Sequence, residues 1–290
     1  MKPPAFAYHT PGTLAEAIAL LSRNDNARVL AGGQTLMPML NLRIASPDHL
    51  VDLRRIKELA YIREERGEIA FGAMTRQREI EYSALVRERI PLLAEAVRWI
   101  GHRQTRNRGT IGGSLCHLDP SAELPAVAMA LDATLRAVGP GGTRDIAMKD
   151  FSAGFMTTVL AAQEVLTEIR MRPWPAGHGW AFLEFARRRG DFAVVSVCAL
   201  LQLDTAGRVQ RASVTLGGVS TAPVRVTEVE RALAGKPCDS EEIERSAKAC
   251  AAMDALEDPY APGWYRKRLA ETLSRRALVI AAQRAQGASR

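Results

Sequence analysis

Two short glycine-bearing segments carry the chemistry that this sequence offers. The first is Ala31-Gly32-Gly33-Gln34-Thr35-Leu36; the second runs from Gly109 through Thr110-Ile111-Gly112-Gly113-Ser114-Leu115. Adjacent glycines lack side chains, so backbone amides can approach an anion closely, and Thr35, Thr110 and Ser114 add hydroxyl donors. A lone Gly-Gly pair reads as a turn, whereas two such loops with hydroxyls suit a phosphate-rich ligand. Neither loop is a G-x-G-x-x-G fingerprint and neither ends in Gly-Lys-Ser/Thr. A Rossmann-type dinucleotide site and a Walker-type ATP site therefore both lack their signals.

The elements that must position these loops follow from local patterns. Thr13 and Glu16 form a capping-box pair ahead of Leu14, Ile18 and Leu21, whose spacing predicts a helix over 13–22. The apolar run 27–31 breaks directly into Gly32-Gly33, which predicts a strand ending in a tight turn. A helix over 37–42, with Pro38 in its first turn, and a strand over 49–53 complete a small β/α unit, residues 1–56. A second α/β unit, 57–176, carries predicted strands at 68–73, 134–138 and 164–171. Its predicted helices lie at 76–83, 92–100 and 123–131, the last accepting Pro125 in its first turn. Pro173-Trp174-Pro175, followed by Gly177 and Gly179, marks a domain boundary. Beyond it, strands near Phe182, at 194–203 and at 209–217 precede helices at 227–233, 240–252 and 265–284. Strands first and helices afterwards indicate an α+β domain over 177–290, with a frayed end at 286–290.

Composition narrows the function class. The 290 residues include 39 Lys+Arg against 32 Asp+Glu, a formal net charge of +7, with 47% hydrophobic and 24% charged residues. These values exclude a disordered or fibrous chain. A nucleic-acid footprint would cluster the basic residues and interleave aromatics, but aromatics are only 6%. The arginines instead read as paired with glutamates on helix surfaces, as in 63–66 and 87–89. Cys116, Cys198, Cys238 and Cys250 are scattered without ligand or disulfide spacing, which excludes a zinc or cysteine-ligated cluster site and fits a reducing cytoplasm. Cys116, just after the second loop, reads as a small buried thiol. The first residues hold no apolar core of signal-peptide length, and no run approaches the ~18 apolar residues of a membrane span.

The strings AGGQTLMPMLNLR (31–43), HLVDL (49–53), RNRGTIGGSLCHLDPSAELPAV (106–127) and RRRGDFAVVSV (187–197) resemble the FAD-binding medium subunit of the molybdenum hydroxylases, the carbon monoxide dehydrogenase and xanthine dehydrogenase family. The similarity runs from about residue 3 to about residue 280, with matching order and spacing. The resemblance implies an FAD-binding domain of the vanillyl-alcohol oxidase type, built of two α/β subdomains. A small antiparallel sheet with a helix bundle would follow it.

The resemblance also implies roles. Ala31, Gly32, Gly33, Gln34, Thr35 and Leu36 on one side, and Thr110, Ile111, Gly112, Gly113, Ser114 and Leu115 on the other, would grip the FAD pyrophosphate and adjoining ribityl. Asp119 and Glu123 would accept from ribityl or ribose hydroxyls; the alternative for Glu123 is an acid stabilised at a helix start. Asp191 and Phe192 match a segment near the isoalloxazine ring, although Phe192 lacks the hydroxyl of relatives that carry tyrosine there. Leu166 would border the flavin or simply pack in its strand. The clusters Arg103/Arg106/Arg108 and Arg187/Arg188/Arg189 read as solvated faces, subunit contacts or flavin electrostatics. Partners would be a large molybdopterin subunit and a small subunit with two [2Fe–2S] clusters, assembled as a dimer of heterotrimers. Residues 117–197 contain no cysteine, which excludes the cluster-bearing 4-hydroxybenzoyl-CoA reductase branch. No residue is nominated as acid, base or nucleophile, because the cofactor carries the chemistry. A stand-alone FAD oxidase or reductase is the alternative; it would need its own acid or base, and His117, which follows the second loop, is the histidine beside the glycine motifs.

Overall fold

The first sheet owes its form to crossovers. In the computed structural model, which describes residues 1–287, β1 (Ala7–His9), α1 (Leu14–Arg23), β2 (Ala27–Leu30), α2 (Leu36–Asn41) and β3 (His49–Asp52) form a parallel sheet of order β1-β3-β2. Parallel neighbours need a connection that leaves the sheet, and the two helices supply it. Thr13 Oγ1 accepts from Glu16 N at 3.2 Å, as predicted, but Glu16 answers to Gly12 N rather than to the cap amide. Ala17, Leu20 and Leu21 are buried at helical spacing against Val51 and Leu53.

The second sheet is antiparallel, in the order β4-β5-β10-β6-β7. Its strands are β4 (Ile62–Glu65), β5 (Glu68–Gly72), β6 (Thr134–Gly139), β7 (Gly142–Ala147) and β10 (Val165–Met171), with a side hairpin of β8 (Ser152–Gly154) and β9 (Thr157–Thr158). Between β5 and β6 run α3 (Gln77–Tyr82), α4 (Ala84–Arg89), α5 (Pro91–Ala96), α6 (Arg103–Arg108), α7 (Ile111–His117) and α8 (Glu123–Ala130). The predicted helix at 92–100 stops at Ala96 and continues as turns. Residues 63–65 lie on edge strand β4, not on a helix, and Glu64 pairs across to Arg89 of α4 at 2.6 Å. A charged edge strand resists pairing with other chains, which is why such residues sit there.

The third sheet, β11 (Gly179–Phe185), β12 (Val195–Leu203), β13 (Val209–Gly217) and β14 (Val224–Arg225), is an antiparallel meander covered on both faces. Phe182, Cys198 and Leu200 face the core around α5 and α8. Val195, Val197, Ala199 and Leu201 face a second core closed by α11 (Gly263–Ala285). Burial of both faces explains why β12 reads as a continuous apolar run. The short helices α9 (Thr227–Leu233) and α10 (Ser240–Ala247) pack beside α11, and a 3₁₀ turn replaces the predicted helix after 247. Glu95 of α5 joins the units: it accepts from Trp180 Nε1 at 3.1 Å, Phe182 N at 3.3 Å and Arg284 Nη1 at 2.7 Å. The expected fraying at 286–290 falls on 288–290, outside the described residues, apart from Gln286 and Gly287, whose amides close α11.

Candidate functional site

The two glycine loops meet. The first is the turn from β2 into α2, with Gly33 in the left-handed region at φ +72°. A Cβ on Gly32 would lie 2.8 Å from Gly109 Cα and closer still to the Arg108 carbonyl oxygen, and one on Gly113 would lie 3.4 Å from Ala31 Cβ. Glycine is therefore required at 32 by close approach of two backbones, and at 33 by conformation.

Their amides are used differently. In the second loop Ile111 N donates to Thr75 O at 3.1 Å, Gly112 N to Ala73 O at 2.9 Å, Gly113 N to Thr110 Oγ1 at 3.0 Å and Ser114 N to Thr110 O at 3.2 Å. The expectation that this loop offers amides to an anion is thus corrected: the amides of Ile111 and Gly112 dock α7 onto the turn after β5, and those of Gly113 and Ser114 are taken by Thr110 at the start of the helix. What it presents is the half-exposed surface of Gly113 and Ser114. Among the described residues, the amides of Gly32, Gly33, Gln34, Thr35 and Leu36 donate to no protein acceptor. The first loop is the donor and the second is its rigid wall.

A cleft of about 340 Å³ opens beside the first loop, lined by Tyr8, Gly32, Gly33, Gln34, Asp52, Arg54, Arg76 and Arg108 among others. Asp52, at the end of β3, accepts from Tyr8 Oη at 2.6 Å and pairs with Arg54 Nε at 2.9 Å. Arg76 donates to the Arg108 carbonyl. Burial and the charge of Arg108 pull the Arg76 guanidinium below its ordinary pKa.

At its far end α7 leads into a second convergence. Leu118 turns the chain with φ +51°, and Pro120 O accepts from Gly218 N at 2.7 Å. Gly218, at φ +78°, leaves room for the Val194 carbonyl 2.5 Å from where a Cβ would sit. From behind, the guanidinium of Arg266, 4% exposed, donates to Val194 O at 2.6 Å and Gly218 O at 2.7 Å and pairs with Asp258 at 2.5 Å. The 187–194 loop is thereby held against the start of α8. Phe192 on it is 59% exposed, so it is not a core residue. Asp191 pairs with Arg188 at 3.2 Å, and Gly190 packs on His102.

Three carboxylates stand near this junction. Asp119 Oδ1 accepts from Ser121 N at 2.9 Å, a turn that starts α8. Glu123, in the first turn of α8, is only 4% exposed, and burial pushes its carboxyl up to about 7. Glu184 of β11 is pushed up to about 8 by burial and then by the Glu123 charge. Glu184 Oε2 is buried without a hydrogen-bond partner among the described residues, and so is Ser196 Oγ on the neighbouring strand. Burial lowers the His117 imidazole pKa.

The remaining expected residues are scattered. Leu166 is buried in the main core, paired with Ala137. Arg106 is committed to Glu81 at 2.8 Å and Arg187 to Tyr260 O at 3.1 Å. Arg189 lies over the Trp99 ring. Cys116 is exposed rather than buried as expected, although the protein packed around it still pushes its thiol up. Tyr8, Arg54, Arg76, Glu184 and Arg266 escaped the sequence reading, because each reaches the site from an element with no motif of its own; Asp52 lay within the HLVDL string but had no role read for it. Gly217-Gly218 was a visible but unspecific signal.

The residues present fit a dinucleotide flavin: a cradle that a Cβ would fill, unpaired amides beside it, and orphaned buried oxygens where hydroxyls would need partners. Comparison with known proteins agrees. Residues 4–174 match the family described as the FAD binding domain in molybdopterin dehydrogenase, and residues 180–281 match the CO dehydrogenase flavoprotein C-terminal domain. The chain is 39% identical over 289 residues to the 6-hydroxypseudooxynicotine dehydrogenase complex subunit alpha of Paenarthrobacter nicotinovorans, covering 99% of this chain and 97% of that one. It is 38% identical over 280 residues to the carbon monoxide dehydrogenase medium chain of Hydrogenophaga pseudoflava, covering 96% and 97%. The solved structure of carbon monoxide dehydrogenase from that organism superposes with a TM-score of 0.95 at 38% identity, covering 98% of this chain and 99% of that chain. Quinoline 2-oxidoreductase from Pseudomonas putida 86 gives 0.93 at 36% identity, covering 99% of both chains.

Proposed function

Because the chain belongs to the FAD-binding flavoprotein family of the molybdopterin dehydrogenases, as the medium subunit of a molybdenum hydroxylase, we propose a residue-level account of how it holds FAD and relays electrons. The unpaired amides of residues 32–36 are the observation that carries it: they form a nest of donors with no internal use. They hold the pyrophosphate, with Ala31 closing the strand side. The wall from Thr110 to Leu115 shapes the cradle, and the Ser114 hydroxyl adds a donor. Asp119, Glu123 and Glu184 face the ribityl and ring-side hydroxyl and amide groups. The 187–194 loop, with Asp191 and Phe192, screens the isoalloxazine from water, and Leu166 supports α7 from below.

Bound FAD supplies a carrier that takes electrons singly or in pairs. This chain's residues orient it, exclude water from one face and place carboxyls of raised pKa nearby. We read residues 1–56 and 57–176 as the two FAD-binding subdomains and 177–290 as the C-terminal domain. Electrons arrive from two [2Fe–2S] clusters of a small partner, having left the substrate at a molybdopterin centre in a large one, and depart to an external acceptor. The assembly is a dimer of heterotrimers in the cytoplasm. Among the described residues no helix is long and apolar enough to cross a membrane. Purification of the chain tests the reading directly. It should carry, or take up on addition, an FAD with the visible bands of oxidised flavin; a folded chain that never binds FAD overturns it.

A further inference from the structure

The cleft beside the first loop has a charge imbalance that the glycine cradle does not explain. Its lining holds three guanidiniums, from Arg54, Arg76 and Arg108, against one carboxylate, Asp52. Asp52 is already engaged by Arg54 and Tyr8. Among the described residues neither Arg76 nor Arg108 has a carboxylate within ion-pair distance. Glu79, the nearest acid in sequence, spends its Oε2 on the Arg76 amide at 2.9 Å. Other arginines on the helices of this unit do find acids: Arg89 pairs with Glu64 and Arg106 with Glu81. Two like charges are also held together here by a bond from Arg76 to the Arg108 carbonyl. Two guanidiniums held this close repel each other, and an anion settling between them relieves that repulsion. The carbonyl that anchors Arg76 is the one against which Gly32 packs, so this charged wall and the amide nest share one wall of backbone.

We propose that Arg76 and Arg108, steadied by the Tyr8–Asp52–Arg54 network, form the subsite for the adenylate half of the dinucleotide, supplying its outer phosphate with charge-assisted donors. The inference rests on the FAD reading above and extends it to residues outside the glycine motifs. A dinucleotide pyrophosphate carries one negative charge on each phosphate, matching the two guanidiniums left in excess. Planar guanidiniums suit phosphate oxygens geometrically, and lysine would not replace them. The phenol of Tyr8 and the side chains of Met37 and Pro38 border the same cleft and offer surface to a ribose or a base.

The test uses the purified full chain stripped of flavin. FAD, ADP and FMN are titrated over a range of sodium chloride concentrations into wild type, Arg76→Gln, Arg108→Gln and the double variant, with thermal melts to confirm folding. The expected result is roughly a tenfold rise in the FAD dissociation constant for each charge removed, with a shallower salt dependence. ADP binding should be lost in the double variant, while FMN, which lacks the adenylate, changes far less. Unchanged FAD and ADP affinities with an unchanged salt slope in the folded double variant overturn the subsite. If wild type binds ADP through these arginines but not FAD, the subsite stands and the flavin reading fails.

Discussion

Replacing Gly32 with alanine tests the contact on which the site depends. The new Cβ would lie 2.8 Å from Gly109 Cα and nearer to the Arg108 carbonyl oxygen. Carbon pairs rest at roughly 3.5 Å or more, so the first loop must withdraw by about 0.7 Å. Neither obstacle is a flexible side-chain end; both are backbone, held by Gly109 N to Thr105 O at 2.7 Å and Gln77 N to Gly109 O at 2.9 Å. Overpacking of this kind costs about 1–3 kcal/mol of stability. The same displacement misaligns the amides of 32–36, and losing one amide–phosphate bond is worth about 1.5–3 kcal/mol, or roughly a 10- to 150-fold weaker FAD complex. Flavin fluorescence titration of the stripped chain gives the affinity, and circular dichroism melts report folding. A folded Gly32→Ala chain that binds FAD within twofold of wild type refutes the reasoning, because it would mean that the loops need not touch.

Stability should fall with rising pH. The native carboxyls of Glu123 and Glu184 lie near 7 and 8 against an ordinary 4.5, so the folded chain binds protons that the unfolded chain has released. The contribution is full below about pH 4.5 and is lost as pH climbs through about 7–8, worth about 3 kcal/mol for Glu123 alone. Melts at pH 6 and 9 (~) should show the drop, and Glu184→Gln should flatten it; an unaltered slope in that variant would remove Glu184 from the account. Arg266→Met strands the Val194 and Gly218 carbonyls and should lower stability by about 2–5 kcal/mol, visible as a melting-temperature loss of at least ~4 °C. Gly179→Ala drives a Cβ to 2.7 Å from the Ala281 carbonyl carbon; poor recovery of soluble protein or a markedly lower melt is expected, and a wild-type melt would argue against the β11–α11 contact.

Much of the frame was legible because local chemistry and tertiary role agree. The run into Gly32-Gly33 ends β2 as read, Pro125 sits in the first turn of α8, and the strands at 194–203 and 209–217 match β12 and β13 closely. Illegible elements lack an apolar stripe: α6 (RQTRNR) buries no side chain, and β7 (GTRDIA) is an exposed edge with only Ile146 buried. The 63–66 charges misled because a charged edge strand and a helix surface look alike over so short a run. The glycine loops were visible, but their division of labour was not. Whether an amide is free depends on Ala73 and Thr75, which arrive from the turn after β5. Arg266 was invisible for the same reason, since its partners are carbonyls on other segments.

The second loop's self-sufficiency bears on how the cofactor is loaded. Since Thr110, Thr75 and Ala73 already satisfy the amides of residues 111–114, the shape of that stretch is a property of the polypeptide alone, and its ordering entropy is met before any flavin arrives. Capture then becomes an encounter problem, first order in flavin and in apoprotein, with no slow maturation phase of the loop behind it. A cell could make this subunit ahead of its cofactor supply and fill it later.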